Sequence, residues 1–238
     1  MFLFGRPSSV GTTWKRQNDL EASKNFAMRK KERFEKIISY FEDHMPVAET
    51  ELKYSSPYQL AVAVILSAQC TDVRVNIITP NFFAVFPDEK SLAIATIDSV
   101  YEIIKSCSYP NNKAKNIIGM AKTLISEFNG EMPSEIDELQ KLPGIGRKSA
   151  NVIASVYFNK PAMAVDTHVF RVSARLGLTT NSKTPLETEK QLVKYIPEDK
   201  ISIAHHWLIL HGRYVCKARK PKCEECGLSG LCRFYGNN

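Results

Sequence analysis

The sequence predicts an all-α protein, and three observations carry that expectation. Apolar residues recur at the i, i+3, i+4, i+7 spacing of one helix face along most of the chain. Ser or Thr residues that suit helix starts, two of them followed directly by proline, stand before successive apolar runs. Only one stretch, AMAVDTHVFRV at 162–172, alternates closely enough to fit a strand.

Taken in order, residues 1–23 are polar and aperiodic and read as a disordered tail; Asp19 and Glu21 argue against a transit peptide. Phe34, Ile37, Ile38 and Phe41 form the first apolar face. Ser56-Pro57 pairs a cap with a first-turn proline and opens YQLAVAVILSAQC, apolar nearly all round and therefore central and buried. Ser99 and Glu102 fit a capping box. Ile117, Ala121, Leu124, Ile125 and Phe128 give another stripe, which Asn129-Gly130 ends. Ser134 is placed to cap EIDELQKL, Thr184-Pro185 with Glu187 opens the next helix, and Asp199 starts KISIAHHWLILHGRYV.

Composition narrows the function. With 238 residues, 44% hydrophobic and 24% charged, the chain is long enough for a packed core. The net charge of +7 fits an anionic partner, nucleic acid first, or a basic protein with no particular partner. No apolar run approaches the ~18 residues of a membrane span, and MFLFGRPSS is too short for a secretory signal. Neither a membrane partner nor export is expected. Of the six cysteines, Cys70 and Cys107 stand alone in apolar segments and read as small core residues. Cys216, Cys223, Cys226 and Cys232 crowd together as C-x6-C-x2-C-x5-C. Without an export signal that crowding points to a metal or cluster site, and the spacing alone favours structural zinc.

The segment Leu142-Pro143-Gly144-Ile145-Gly146 lies between two helical patterns. Proline stops the first helix. Gly144 and Gly146 permit positive φ and leave room for close approach. A second helix starting near Arg147 aims its unpaired N–H groups at the same point, which makes either an anion site suited to a DNA phosphate or an ordinary tight turn between helices. Lys148 sits in that first turn. Asp166 follows 18 residues later (166 − 148), one helix and its return.

LPGIGRKSA resembles a helix-hairpin-helix motif, and VDTHVFRV at this spacing resembles the aspartate half of the signature of hairpin-type DNA glycosylases. LSAQCTDVRVN from Leu66 to Asn76, HHWLILHGRYVC from His205 to Cys216 and the terminal cysteines match as well. Together, over Met28 to Phe234, they resemble the endonuclease III family.

The resemblance implies two helical domains with DNA and the active site in the cleft between them. Residues 50–160 would form a six-helix domain ending in the hairpin. Residues 24–49 and 161–238 would form a cluster domain with its loop at 216–232. It implies a monomer that excises oxidised pyrimidines from duplex DNA and then cuts 3′ to the abasic site. Lys148 is the implied Schiff-base nucleophile and Asp166 the implied catalytic carboxylate. A helix start disfavours the lysine cation by about 0.3–1 kcal/mol, burial and neighbouring Arg147 and Arg171 add to that, and an ionised Asp166 acts in the opposite direction. Gln69 is the implied filler of the gap left by a flipped base. A second wedge falls in SYPNNKA, where Ser108, Tyr109 and Pro110 depart from the family's Gly-Leu-Tyr and Tyr109 is the stacking candidate. Lys113, Gly144, Gly146 and Arg147 are implied backbone contacts. Cys70 and Ser149 stand where an alanine and a threonine are common.

The cysteine spacing resembles the family's 4Fe–4S loop, with zinc as the alternative. A cluster there would hold Lys217, Arg219, Lys220 and Lys222 against phosphate. His205, His206 and His211 read as helix or core residues, since four cysteines already fill the ligand places. An intracellular address is expected: cytoplasm or nucleoid in a bacterium, nucleus or mitochondrion in a eukaryote. The competing readings are an adenine-mismatch or pyrimidine-dimer glycosylase of the same superfamily, a hairpin module that only binds DNA, and a zinc-binding interaction protein.

Overall fold

The structure, a computed structural model, describes residues 28–236, so the tail expected at 1–23 lies outside the described residues. These residues form helices and turns and no strand. In chain order the helices are α1 Lys30–His44, α2 Pro57–Ser67, α3 Asp72–Val85, α4 Glu89–Ala93, α5 Ile97–Ile104, α6 Pro110–Phe128, α7 Ile136–Leu139, α8 Arg147–Val156, α9 Thr167–Leu176, α10 Pro185–Val193, α11 Ile201–Tyr214 and α12 Arg233–Gly236. Single 3₁₀ turns span Glu198–Lys200 and Ser229–Leu231. Among the described residues no helix is long and apolar enough to cross a membrane.

The chain divides into two compact units. One holds Val47–Asp166 and Pro197–His206; the other holds the described residues up to Pro46, Thr167–Ile196, and Trp207 onward.

The first of these units is built around α2. Every residue from Leu60 to Leu66 is at most 3% exposed, because α3, α6 and α8 all pack on this helix. Each large aliphatic chain buried this way contributes about 1.5–3 kcal/mol. Ser56 caps α2 as expected, accepting the Gln59 N–H at 3.2 Å, with Pro57 in the first turn. Helix α6 carries α4 and α5 on its flank. It ends at Asn129, which is left-handed at φ +53°.

Several local expectations are corrected. Ser99 does not cap α5. Thr96 offers the same hydroxyl three residues earlier, accepting the Ser99 N–H at 3.1 Å, and Glu102 pairs with Lys105 instead of closing a box. Ser134 caps nothing; Glu135 precedes a helix of only four residues and supplies no side-chain bond. Asp199 lies inside a 3₁₀ turn ahead of α11. Ile125 is 40% exposed at the edge of the α6 stripe. The segment that alternates like a strand runs without regular structure to Asp166 and then becomes α9. Its residues Ala162–Val165 are buried individually rather than on alternate faces.

In the second unit, Phe34, Ile37, Ile38 and Phe41 of α1 are buried as expected. Phe34 stacks on Tyr195 at 5.0 Å and Phe41 on Trp207 at 5.7 Å, while the Trp207 indole N–H donates to the Met45 carbonyl at 2.8 Å. The wholly buried Arg33 donates to the Leu231 carbonyl. Helix α9 packs on α10 and α12. Thr184 caps α10, and the Glu187 carboxylate reaches back to the Lys183 N–H.

The hairpin between α7 and α8 turns at Gly144, whose φ is +85°. A Cβ there would meet Asn116 Cβ of α6 at 2.9 Å. Gly144→Ala therefore combines backbone strain with a clash and should lower the unfolding free energy by about 1–3 kcal/mol. Urea denaturation checks this; unchanged stability would contradict the geometry.

Candidate active site and cluster cavity

Lys148 occupies the second position of α8, and its side chain is exposed. That corrects the expectation of burial around it. Gly146 precedes the helix with no side-chain cap, at φ −86°, so only Gly144 uses the left-handed freedom expected of both glycines. Nothing lies within 4 Å of a Cβ built on Gly146, which leaves the approach to the helix start open. Arg147 is exposed beside Lys148.

Asp166, partly buried, ends the segment that returns from α8. One interaction not foreseen from the sequence ties this segment down. Asn151, 1% exposed and one turn beyond Lys148, donates its side-chain N–H to the Met163 carbonyl at 3.0 Å. The signal was a polar residue set among the apolar positions Ala150, Val152, Ile153 and Ala154 of that helix. Such a residue needs a partner, and the nearest unpaired backbone is the non-helical segment.

Gln69 and Tyr109 form a second group. Both are exposed and both adopt left-handed backbone, at φ +54° and +55°. That conformation is unusual for residues with side chains and persists only where surroundings hold it. Here Ser108 Oγ donates to the Gln69 carbonyl at 2.6 Å and joins the two turns. Lys113 is not at the surface as a phosphate contact. It is 5% exposed, and its ammonium donates to the carbonyls of Leu66 and Ala68 at 2.8 and 2.7 Å, closing the C-terminal end of α2. Burial pushes its pKa below the usual lysine value.

The four terminal cysteines, each partly buried, line one cavity together with His211, Leu176 and Val215. Among the described residues no three His, Cys, Asp or Glu side chains converge on the position of a single metal ion. Four thiols lining one cavity are a donor set that suits an iron–sulfur cluster as well as zinc. His211 is buried as expected, its imidazole pushed down to about 4 by burial, and its Nε2 lies 3.7 Å from Cys226 Sγ. His205 and His206 are also buried.

The loop after Cys216 leaves Lys217, Arg219, Lys220 and Lys222 exposed. Its backbone is fixed from beneath. Arg175 donates to the Lys217 and Ala218 carbonyls at 2.7 and 3.2 Å and lies 3.5 Å from Cys216 Sγ. Arg171, one turn earlier on α9, holds the Gly212 and Cys216 carbonyls at 2.9 and 3.2 Å. The spacing of the two arginines on one helix face was visible in the sequence; their carbonyl partners were not.

Removing the Asn151 amide should loosen the Asp166 segment. Asn151→Ala leaves the Met163 carbonyl buried without a donor and should cost about 1–3 kcal/mol of stability. Hydrogen exchange should rise first at residues 162–166; exchange unchanged there would show that the bond does not hold the segment.

Comparison with known proteins adds an independent line. Residues 62–198 match the HhH-GPD superfamily base excision DNA repair protein family, and residues 216–232 match the iron–sulfur binding domain of endonuclease III. The endonuclease III of Rickettsia felis is 46% identical over 202 residues, covering 85% of this chain and 94% of that protein. That of Bacillus subtilis is 48% identical over 191 residues, covering 80% and 87%. A solved structure described as a trapped endonuclease III–DNA covalent intermediate superposes with a TM-score of 0.84 at 43% identity, covering 88% of this chain and 98% of that one. The second match begins at Cys216 and ends at Cys232, so the cysteine-lined cavity is the seat of a 4Fe–4S cluster. Hairpin, aspartate segment and cysteine loop thus stand in the order and spacing of one family, and the chain belongs to the endonuclease III branch of the HhH-GPD superfamily of base excision DNA repair proteins.

Proposed function

We propose that this protein is a bifunctional DNA glycosylase and abasic-site lyase that removes oxidised pyrimidines from duplex DNA. The observation that carries the reading is the exposed Lys148 amine at an open helix start, on the same helix that pins the Asp166 segment through Asn151. The covalent DNA complex of the related endonuclease III supports the same route.

The neutral Lys148 amine attacks C1′ of the sugar, and the damaged base departs as the C1′–N bond breaks. The amine's proton passes to Asp166 or to the leaving base, and the Asp166 carboxylate stabilises the positive charge that develops on the sugar. Ring opening gives an iminium. It takes up the electron pair released when the C2′ proton is lost, and the 3′ phosphate leaves by β-elimination. A hydroxyl nucleophile offers no such electron sink, so a lysine at this position matches a nicked product.

The damaged base must leave the helix to be reached. Gln69 fills the vacated space and Tyr109 wedges by stacking on a neighbouring base; their strained, mutually bonded turns present both side chains outward. Gly144, Gly146 and Arg147 contact the backbone phosphates near the reacting sugar, and Lys217, Arg219, Lys220 and Lys222 contact them further along. Cys216, Cys223, Cys226 and Cys232 hold the cluster. When bound, it supplies a covalent cross-link that fixes the basic loop rather than electrons for the reaction. We assign the protein to the intracellular compartment that contains its DNA.

Oligonucleotides carrying one oxidised pyrimidine or one abasic site test the reading. Lys148→Gln should fold, keep the cluster absorbance and bind an abasic analogue, yet neither release the base nor nick. Asp166→Asn should still nick abasic DNA at a reduced rate while base release falls further, by about 10²–10³-fold. Base release and nicking by Lys148→Gln at the parent's rate would reduce the hairpin to a phosphate clamp.

A further inference from the structure

Cys70 and Cys107, the two cysteines with no part in the cluster, are neighbours. Cys70 directly follows Gln69, and Cys107 directly precedes Ser108, whose hydroxyl bonds the Gln69 carbonyl at 2.6 Å. Cys70 packs against the same apolar core that holds Cys107. Cys107 is 5% exposed in the core, whereas Cys70 is partly open to solvent. The buried Lys113 ammonium, fixed on the Leu66 and Ala68 carbonyls, is close enough to act on the Cys107 thiol.

We propose that Cys70 and Cys107 form a reversible dithiol–disulfide site, closed by a small-molecule disulfide such as glutathione disulfide, which ties together the two turns that carry Gln69 and Tyr109. The accessible Cys70 thiolate attacks glutathione disulfide, forming a mixed disulfide and releasing one glutathione. The Cys107 sulfur, after losing its proton, attacks the Cys70 sulfur and expels the second glutathione. Two protein thiols and one glutathione disulfide thus become one protein disulfide and two glutathiones, and free glutathione reverses the sequence.

Accessibility sets the order of the steps. Burial pushes the Cys107 thiol up to about 11, which keeps it protonated and unreactive toward outside reagents, while Lys113 acts in the opposite sense and eases the internal step. An intramolecular attack requires reach rather than solvent access. The two other residues tied to the pair, Gln69 and Tyr109, already hold strained backbone, so a covalent bond across their bases restricts the motion available to both side chains. The consequence for DNA rests on the proposed roles of Gln69 and Tyr109; the disulfide itself does not.

The test uses the cluster-loaded protein, with its visible absorbance followed throughout. It is equilibrated in glutathione buffers of rising oxidised fraction, quenched with acid, alkylated and mapped by mass spectrometry without reduction. The expected product is a peptide pair joined through Cys70 and Cys107, lighter by two hydrogens, which grows with the oxidised fraction and disappears on reduction. Cys107→Ala should stop at a glutathione adduct on Cys70, and Cys70→Ala should remain unmodified at both positions. A parent protein that gains only the Cys70 adduct, or neither product, overturns the site. In the joined form nicking of abasic DNA should slow about tenfold, as expected when turns that must adjust are locked, and reduction should restore it; Cys70→Ala should show no such response. Joined protein that nicks at the reduced rate constant overturns the link to the turns. If the reduced parent does not nick at all, the proposed function has failed, and the mass measurement still decides the disulfide.

Discussion

One buried hydrogen bond holds the two halves of the candidate active site in register. Asn151 on α8 donates to the Met163 carbonyl, and these residues stand three positions after Lys148 and three before Asp166. Without that donor the return segment has no helix or sheet to satisfy its backbone, and a buried carbonyl would stand unpaired. The 18-residue separation of lysine and aspartate has its physical origin here. It is the length of one ten-residue helix plus a return long enough to reach back to Asn151 on that helix. Gly144 sets the direction of that helix by turning tightly against Asn116, so the exposed amine projects from a backbone fixed at both ends.

A common device recurs elsewhere. Arg33, Lys113, Arg171 and Arg175 are all used to hold backbone carbonyls. A charged donor satisfies an orphan carbonyl more strongly than a neutral one, which suits helix ends and loops that lack regular pairing. Lys113 closes the end of α2 directly below the Gln69 turn; Arg175 and Arg171 fix the two ends of the chain segment around Cys216. These cations belong to the scaffold. The net charge of +7 therefore does not translate directly into phosphate contacts. The basic groups at the hairpin and in the 217–222 loop are among the exposed ones that remain open to an anionic partner, together with others such as Arg74 and Lys115.

The sequence announced most of the helices because their apolar periodicity is strong, and it announced α2 as central because nearly every position in it is apolar. It misplaced caps where two hydroxyl residues compete, as Thr96 and Ser99 do, since local pattern does not say which turn the core requires. It suggested a strand at 162–172 because the residues there nearly alternate; Ala162, Met163, Ala164 and Val165 are instead all buried by their surroundings, which is a tertiary fact. The site residues were legible as motifs. Their supports were not: Asn151, Arg171 and Arg175 act on carbonyls distant in sequence, and backbone partners leave no trace in side-chain spacing. Lys113 reads as a solvated or phosphate-binding lysine until the structure places its ammonium in the core.

The proposed chemistry turns on the role of the Lys148 amine. The most direct measurement is borohydride reduction during turnover on an oligonucleotide with a single abasic site, followed by peptide mapping of the protein–DNA adduct. One covalent adduct per active molecule is expected, located at Lys148, in protein whose cluster absorbance is intact, and none in Lys148→Gln. An adduct on another amine, or efficient nicking with no trapped adduct, would contradict it.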